Sequence, residues 1–414
     1  MKRIFLFLLS LASLGANAQL LSDRATASML TCGAGDDFYT SFGHSAIRIT
    51  DSVNGLDLVY NYGTFDFDTP HFYWKFMRGQ LNYCLSRTTF ADFIDEYTYY
   101  GRPVSEQPLT FEAQQVQNLF LLLETNYLPQ YRYYRYDFLR DNCATRVRDV
   151  VYSACGADTL LLRHSEPMSY RQLLATCLKD SLEWWRLGID LLFGLPTDHR
   201  CTAPERMFLP AEMEAELAQC EVRSEKCEVS SEAAAPVSLL TSHFSLLTKP
   251  SRPLLVTHRT PLKASFPPVI VFSLLFAAIA LLSLHTSHFP LPTSHFPLPT
   301  SHFPLPTSHF PLLTVIDRVL FILAGICGLF LCFMWFGTDH WCTQWNLNIL
   351  WLSPLLILIA IRLERSPRWA LWLQETMFLV ALLWVLWCHL SIAIIPLIIT
   401  LMLRVAILLL HAKH

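Results

Sequence analysis

The stretch FLRDNCATRVRD, residues 138–149, sets a single cysteine behind an acidic and an amide residue. Beyond it Val147, Val150, Val151 and Ala154 recur at helical spacing, and Gly156 stands where a C-terminal cap belongs. Asp141 or Asn142 is a natural N-cap, so Cys143 falls in the first turn of the predicted helix. There the unpaired backbone N–H groups and the helix dipole favour a thiolate and lower the thiol pKa. A buried apolar cysteine is the commoner case, but it does not explain a polar cap pair and a first-turn position.

A nucleophilic thiol needs a base. In SFGHSAIRITD, residues 41–51, Ser45, Ile47 and Ile49 alternate as in a strand and put His44 on the opposite face with Ala46 and Arg48. If the apolar face packs on the core, His44 faces a cleft. The next strand-like run, LDLVYNYGTFDF at 56–67, carries Asn61, Tyr62 and Asp66, any of which can orient an imidazole, and alternation does not choose among them. A cysteine at a helix start against a histidine on a neighbouring strand is the constellation of thiol-mediated group transfer. Arg146 and Arg148 follow the thiol closely, placed either to meet a phosphate or to support the helix surface.

The elements that must carry these residues belong to a hybrid chain. Its 414 residues are 52% hydrophobic and 16% charged, too apolar for an ordinary soluble protein and too charged to be all membrane. The formal net charge of −3 supplies no basic excess for a nucleic-acid backbone. Residues 1–18 read as an export signal: Lys2 and Arg3, the apolar run IFLFLLSLASLG, then Ala16 and Ala18 at the cleavage positions. Residues 19–235 read as one exported domain, 236–265 as a proline-containing linker, and 266–414 as a helical membrane domain. Five spans are expected there, at about 266–284, 315–336, 345–361, 369–390 and 391–410.

An exported N-terminal domain puts RLERSPR, 362–368, on the cytoplasmic side in accord with the positive-inside tendency; Lys249, Arg252, Arg259 and Lys263 on the outer side run against it. Glu375 and Arg404 lie inside the fourth and fifth spans at similar depth and are expected to pair, since an unpaired charge there is costly. In the loop 285–313, TSHFPLP recurs with a seven-residue period, but its prolines exclude a continuous helix. In polyproline geometry the repeat histidines His288, His295, His302 and His309 stand about 22 Å apart, too far to share an ion. The run reads as a neutral insertion. Eight of the 12 cysteines fall in the exported region, where disulfides are permitted, though with Cys143 free the other seven cannot all pair. No C-x-x-C, Gly-rich phosphate loop or convincing metal cluster stands in the chain, so no cofactor or metal is expected.

FGHSAIRI and DNCATRVRD, with VYNYGTFDF and KFMRGQLNYCLS between them, resemble the exported domain of the Lnb-type lipoprotein N-acyltransferases of Bacteroidota. TDHWCTQWNLNILWLSP, 338–354, is similar to that family's outward-facing Asp-His and Asn-x-Asn segment. The resemblance covers nearly the whole chain apart from the TSHFPLP insertion. It implies an α+β fold, a circularly permuted NlpC/P60 (papain-like) exported domain in which histidine precedes cysteine, followed by a membrane bundle. It further implies that Cys143 takes an acyl chain from a membrane phospholipid as a thioester, with His44 as base, and passes it to the N-terminal amine of a diacylglyceryl-cysteine lipoprotein. Asn61 and Asp66 carry over as motif members without a settled role. Asp339, His340, Asn346 and Asn348 would meet lipid head groups or the acceptor at the outer surface of the inner membrane, unless the loop merely caps helices. Two alternatives use other classes: a membrane-anchored cell-wall peptidase with the same thiol and histidine, and a membrane binding or sensor protein indifferent to Cys143.

Overall fold

A computed structural model describes residues 20–156, 160–161, 167–178, 182–229, 238–257, 266–286 and 311–412. The expected signal segment and the TSHFPLP histidines lie outside the described residues. The chain divides into two compact units, one of residues 1–170 and 200–261, the other of 171–199 and 262–414.

In chain order the first unit holds β1 (Thr26–Cys32), β2 (His44–Asp51), β3 (Leu56–Thr64), α1 (Phe72–Met77), β4 (Asn82–Thr89), α2 (Phe90–Tyr99), β5 (Val104–Pro108), α3 (Ala113–Tyr127), β6 (Tyr133–Arg135) and α4 (Cys143–Cys155). Then come β7 (Leu160–Leu161) and, within the second unit, α5 (Tyr170–Cys177) and α6 (Glu183–Leu192). The chain returns to the first unit for α7 (Ala203–Arg206), α8 (Pro210–Ala218), β8 (Glu221–Val229), β9 (Ser238–Leu246) and β10 (Arg252–Leu255). Seven strands form one antiparallel sheet in the order β10-β5-β1-β2-β3-β4-β6.

Both faces of this sheet are covered. On one, Met29, Ile47, Ile49, Tyr60 and Leu85 pack against Leu119 and Leu123 of α3, Val147 and Val151 of α4, and Met213 and Leu217 of α8. On the other, Leu30, Cys32, Ala46, Val59 and Val104 pack against Phe93 and Tyr97 of α2. The expected open cleft on the Ala46 face is therefore filled, because that face carries its own smaller apolar cluster. His44 escapes complete burial by standing at the very start of β2, where it is half-buried.

The stretch expected as a linker is structural. It supplies β9 and β10, the latter pairing with β5 as the sheet's edge. Pro253 is tolerated there because an edge strand can forgo a ladder N–H. Arg252 bonds the buried Glu106 carboxylate at 2.6 Å, and Arg48 reaches the same carboxylate at 3.1 Å while gripping Asp57. One of the charges that ran against the positive-inside tendency is thus neutralised within the fold.

The second unit continues with α9 (Pro268–Thr286), α10 (Pro311–Phe336), α11 (Asn348–Trp351), α12 (Leu355–Arg362), α13 (Arg368–Trp387) and α14 (Ile394–His411). Among the described residues three helices, Leu312–Phe336, Arg368–Trp387 and Ile394–His411, are long and apolar enough to cross a membrane; Pro268–Leu284 and Asn348–Arg362 are shorter apolar helices. The expected span at 345–361 is broken between α11 and α12, where Pro354 lacks the N–H that a continuous helix needs. Arg404 does not pair with Glu375. Its guanidinium lies flat on Asp317, at 2.6 and 2.8 Å, with a third bond to Ser283 Oγ at 2.6 Å. The sequence reading passed over Asp317 because it stands near the start of α10, yet a bidentate partner from another helix satisfies Arg404 better than a depth-matched Glu375.

Candidate active site

Asn142 is the N-cap of α4. Its Oδ1 accepts the Thr145 N–H at 2.9 Å while Thr145 Oγ1 accepts the Asn142 N–H at 2.8 Å, a closed capping box. Its Nδ2 donates to the carbonyls of Phe138 and Phe208 at 2.9 and 2.8 Å. Asp141 is left for Arg146, which binds it through Nε at 2.5 Å and Nη2 at 2.7 Å and lies over the Tyr134 ring. Arg148 donates to the Pro204 carbonyl at 2.6 Å and pairs with Asp149. Both arginines are engaged in shaping the helix and its surroundings.

Cys143 is the first residue of α4, buried, with its thiol hydrogen-bonded to His44. Burial is the largest single influence and pushes the thiol pKa up. The His44 charge, its hydrogen bond and the N–H groups of Ser45 and Ala144 together outweigh it, and the thiol titrates below the ordinary cysteine value. At Cys32, opposite His44 in the β1–β2 register, burial prevails over a Tyr97 hydrogen bond and the Arg102 charge, and the pKa is pushed up to about 12. Cys32, Cys84, Cys143, Cys201 and Cys220 of the first unit are free thiols.

Asn61 Oδ1 stands 3.3 Å from His44 Nε2. An amide oxygen in that place accepts an N–H from Nε2, and the contact fixes the plane of the imidazole. Asn61 is thus the one orienting candidate brought to the imidazole. Tyr62 turns into the core and accepts a bond from Asn126 at 2.8 Å. Asp66 is exposed in the loop after β3 and caps its own turn through the Asp68 N–H at 2.9 Å.

Two glycines make the approach possible. Gly43 has φ +80°, and a Cβ there would meet the Cys32 carbonyl oxygen at 2.7 Å, so the turn that delivers His44 admits no side chain. Gly63 has φ +88°, and a Cβ there would lie 3.4 Å from Cys143 Cβ and 3.3 Å from Tyr136 Cε2. The sequence reading missed Tyr134 and Tyr136. The Tyr136 hydroxyl accepts the Cys143 N–H, and burial with the neighbouring thiol holds its phenol well above the ordinary pKa. The buried Tyr134 hydroxyl, likewise raised by burial, has no hydrogen-bond partner. The aromatic density of YRYYRYDF, 131–138, just before the thiol was the available signal.

Residues 15–176 match the model of the Lnb N-terminal periplasmic domain, and residues 307–414 match that of the Lnb transmembrane domain, together well over half of the chain. The chain belongs to the Lnb family of lipoprotein N-acyltransferases. No curated protein and no solved structure matches it. It is accordingly a membrane protein with a periplasmic domain.

The first Lnb match takes in His44, Asn61, Asp66 and Cys143, and the second Asp339, His340, Asn346 and Asn348. Within the second unit the two asparagines face inward. Asn346 Nδ2 donates to the carbonyls of Leu191 and Leu192 at 2.8 and 2.9 Å, and Asn348 Nδ2 to those of Asp190 and Leu191 at 2.8 and 3.1 Å. They satisfy the last carbonyls of α6, which no helical N–H can reach. Asn346 Oδ1 takes the Asn348 N–H and Asn348 Oδ1 the Trp351 indole N–H, so both amides are committed. Nearby, the buried Arg171 binds Asp198, Asp190 and the Phe193 carbonyl. Of the four loop residues, His340 is also buried and Asp339 is exposed.

Proposed function

We propose that this Lnb-family chain is a multi-pass enzyme of the inner membrane. It moves an acyl chain from a membrane phospholipid, through a thioester on Cys143, to the N-terminal amine of a diacylglyceryl-cysteine lipoprotein. The observation that carries the reading is the Cys143–His44–Asn61 chain at the start of α4. A strand histidine that precedes a helix-start cysteine in the chain also supports a permuted NlpC/P60-type, papain-like fold for the first unit. The three long helices, with the two shorter apolar ones, would make up five crossings.

In the first half-reaction the thiolate sulfur attacks the ester carbonyl and the tetrahedral oxyanion collapses. The C–O bond breaks, and the lysophospholipid oxygen leaves with the proton held on His44. In the second, the lipoprotein amine attacks the thioester and His44 takes its proton. Amide formation then returns the sulfur as thiolate. Developing negative charge needs donors that are already in place. The Tyr134 hydroxyl, protonated and unpartnered beside the thiol, supplies one, and the Tyr136 hydroxyl, already fixed by the Cys143 N–H, is the second. Asp339 and His340 are proposed to meet head groups.

The test is the intact mass of a reporter lipoprotein from cells lacking their own N-acyltransferase, complemented with this chain or with Cys143→Ala. One added acyl chain that depends on Cys143 is expected. No gain from well-expressed protein, together with cleavage of murein peptides, would transfer the same thiol to the cell-wall peptidase class.

A further inference from the structure

The first unit carries an exposed aromatic surface around α1. In α1 only Phe72 turns inward, packing at a tilt against the rings of Phe65 and Phe67 at 5.8 and 4.8 Å. Its neighbours face water: Tyr73 is 79% exposed, Phe67 58%, Trp74 50% and Phe76 39%. Aromatic side chains bury about 150–250 Å² each when covered, so leaving Tyr73 and Phe67 mostly solvated is costly, and patches of this kind mark interaction surfaces.

We propose that this patch is an interfacial membrane-docking surface that seats Cys143 at the lipid ester plane. Its occupant is the head-group layer of a phospholipid bilayer. Tyr and Trp with an apolar body and a polar tip are the side chains that settle at the membrane–water boundary. Cations accompany them: Lys75 lies in the same helix, and the Arg78 guanidinium lies 5.9 Å from the centre of the Trp74 ring. The exposed carboxylates Asp66 and Asp68 border the patch, so cations and anions together match a head group that carries both phosphate and ammonium.

The patch is also continuous with the nucleophile. Phe76 touches Phe138 at 5.9 Å between ring centres, Phe138 touches Tyr136 at 5.8 Å, and the Tyr136 hydroxyl accepts the Cys143 N–H. The role given to the contact rests on the proposed acyl transfer; the contact itself does not.

The test uses the full chain in native membranes and in phosphatidylethanolamine-containing nanodiscs. A benzophenone amino acid replaces Tyr73 or, as a control, the equally solvated Tyr99 at the end of α2, which is 85% exposed. Irradiation is expected to give phospholipid adducts at position 73 and not at 99. Adducts to protein alone, or no lipid adduct at 73, overturn the proposal. In parallel, Tyr73→Ser/Trp74→Ser is expected to lower acyl transfer from bilayer-held donor about tenfold or more, through lost effective concentration, while alkylation of Cys143 by iodoacetamide proceeds as before. Unchanged transfer in that variant overturns the proposal. A lipid adduct at position 73 in a protein without acyl-transfer activity upholds the docking surface and removes the enzymatic reading instead.

Discussion

At the scale of the residue, the site turns on a thiol that burial opposes and its neighbours rescue. Because the Cys143 pKa is depressed, the reactive anion accumulates below the pH at which an ordinary cysteine ionises. Alkylation should rise with pH through the depressed value and level off before Cys32, held at about 12, reacts at all. Peptide mass mapping after brief iodoacetamide treatment across a pH series checks both halves, and a Cys143 profile centred at or above the ordinary cysteine value would sink the account. The sign carries over to stability. A depressed folded pKa contributes stability fully present above the unfolded value and lost as pH falls through the folded one, so Cys143→Ser should flatten that dependence. His44→Ala is expected to slow transfer by about 10²–10⁴ and Asn61→Ala by a smaller factor, since Asn61 only orients the ring. Tyr134→Phe, which deletes a hydroxyl without changing the packing, should lower kcat by about 10²–10³ with little change in KM. Equal kcat in wild type and Tyr134→Phe would remove this tyrosine from the oxyanion site.

At the scale of the element, the N-terminus of α4 and the turn at Gly63 are the parts that position the chemistry. Asn142→Ala removes a cap worth about 0.5–2 kcal/mol and leaves the Phe138 and Phe208 carbonyls without their donor. A lowered unfolding midpoint should therefore accompany slower Cys143 alkylation, which a purely global loss of stability below the transition would not produce. Gly63→Ala should reduce activity through strain at positive φ and pressure on Tyr136. In the helical unit, Arg404→Met alone should destabilise by about 3–5 kcal/mol, whereas Arg404→Met with Asp317→Leu should recover much of the loss, because a buried charge costs most when its partner is gone. Thermal inactivation in one detergent is sufficient to rank the three proteins.

Across the whole molecule, the sequence was most legible where one local rule governed. Cap, helical spacing and terminal glycine placed α4 and its thiol, and alternation found β2 and β3. Alternation misjudged the surroundings of His44 because it assumes one wet face, and this sheet is dry on both. It could not rank Asn61 over Tyr62 or Asp66, since the choice depends on how the end of β3 meets the start of β2. The TDHWCTQWNLN loop was read for its polarity, yet Asn346 and Asn348 answer to the carbonyls of α6, more than 150 residues earlier in the chain. Local pattern also misses residues 171–199, whose amphipathic α6 resembles any soluble helix but clusters with the apolar unit.

That last feature bears on the order in which the protein is made. The chain leaves the sheet unit at residue 171, returns at 200, and closes the sheet only with β10 at Arg252–Leu255, a dozen or so residues before α9 begins. A nascent chain that has emerged as far as Cys143 and α4 holds the candidate thiol but lacks α8 and the edge strand. The sheet unit should therefore gain protease resistance only once β10 has crossed to the periplasmic side, just ahead of α9. Completion of the sheet and entry of α9 into the membrane are then consecutive moments of one synthesis, so a free-standing, prematurely active exported fragment has little opportunity to form.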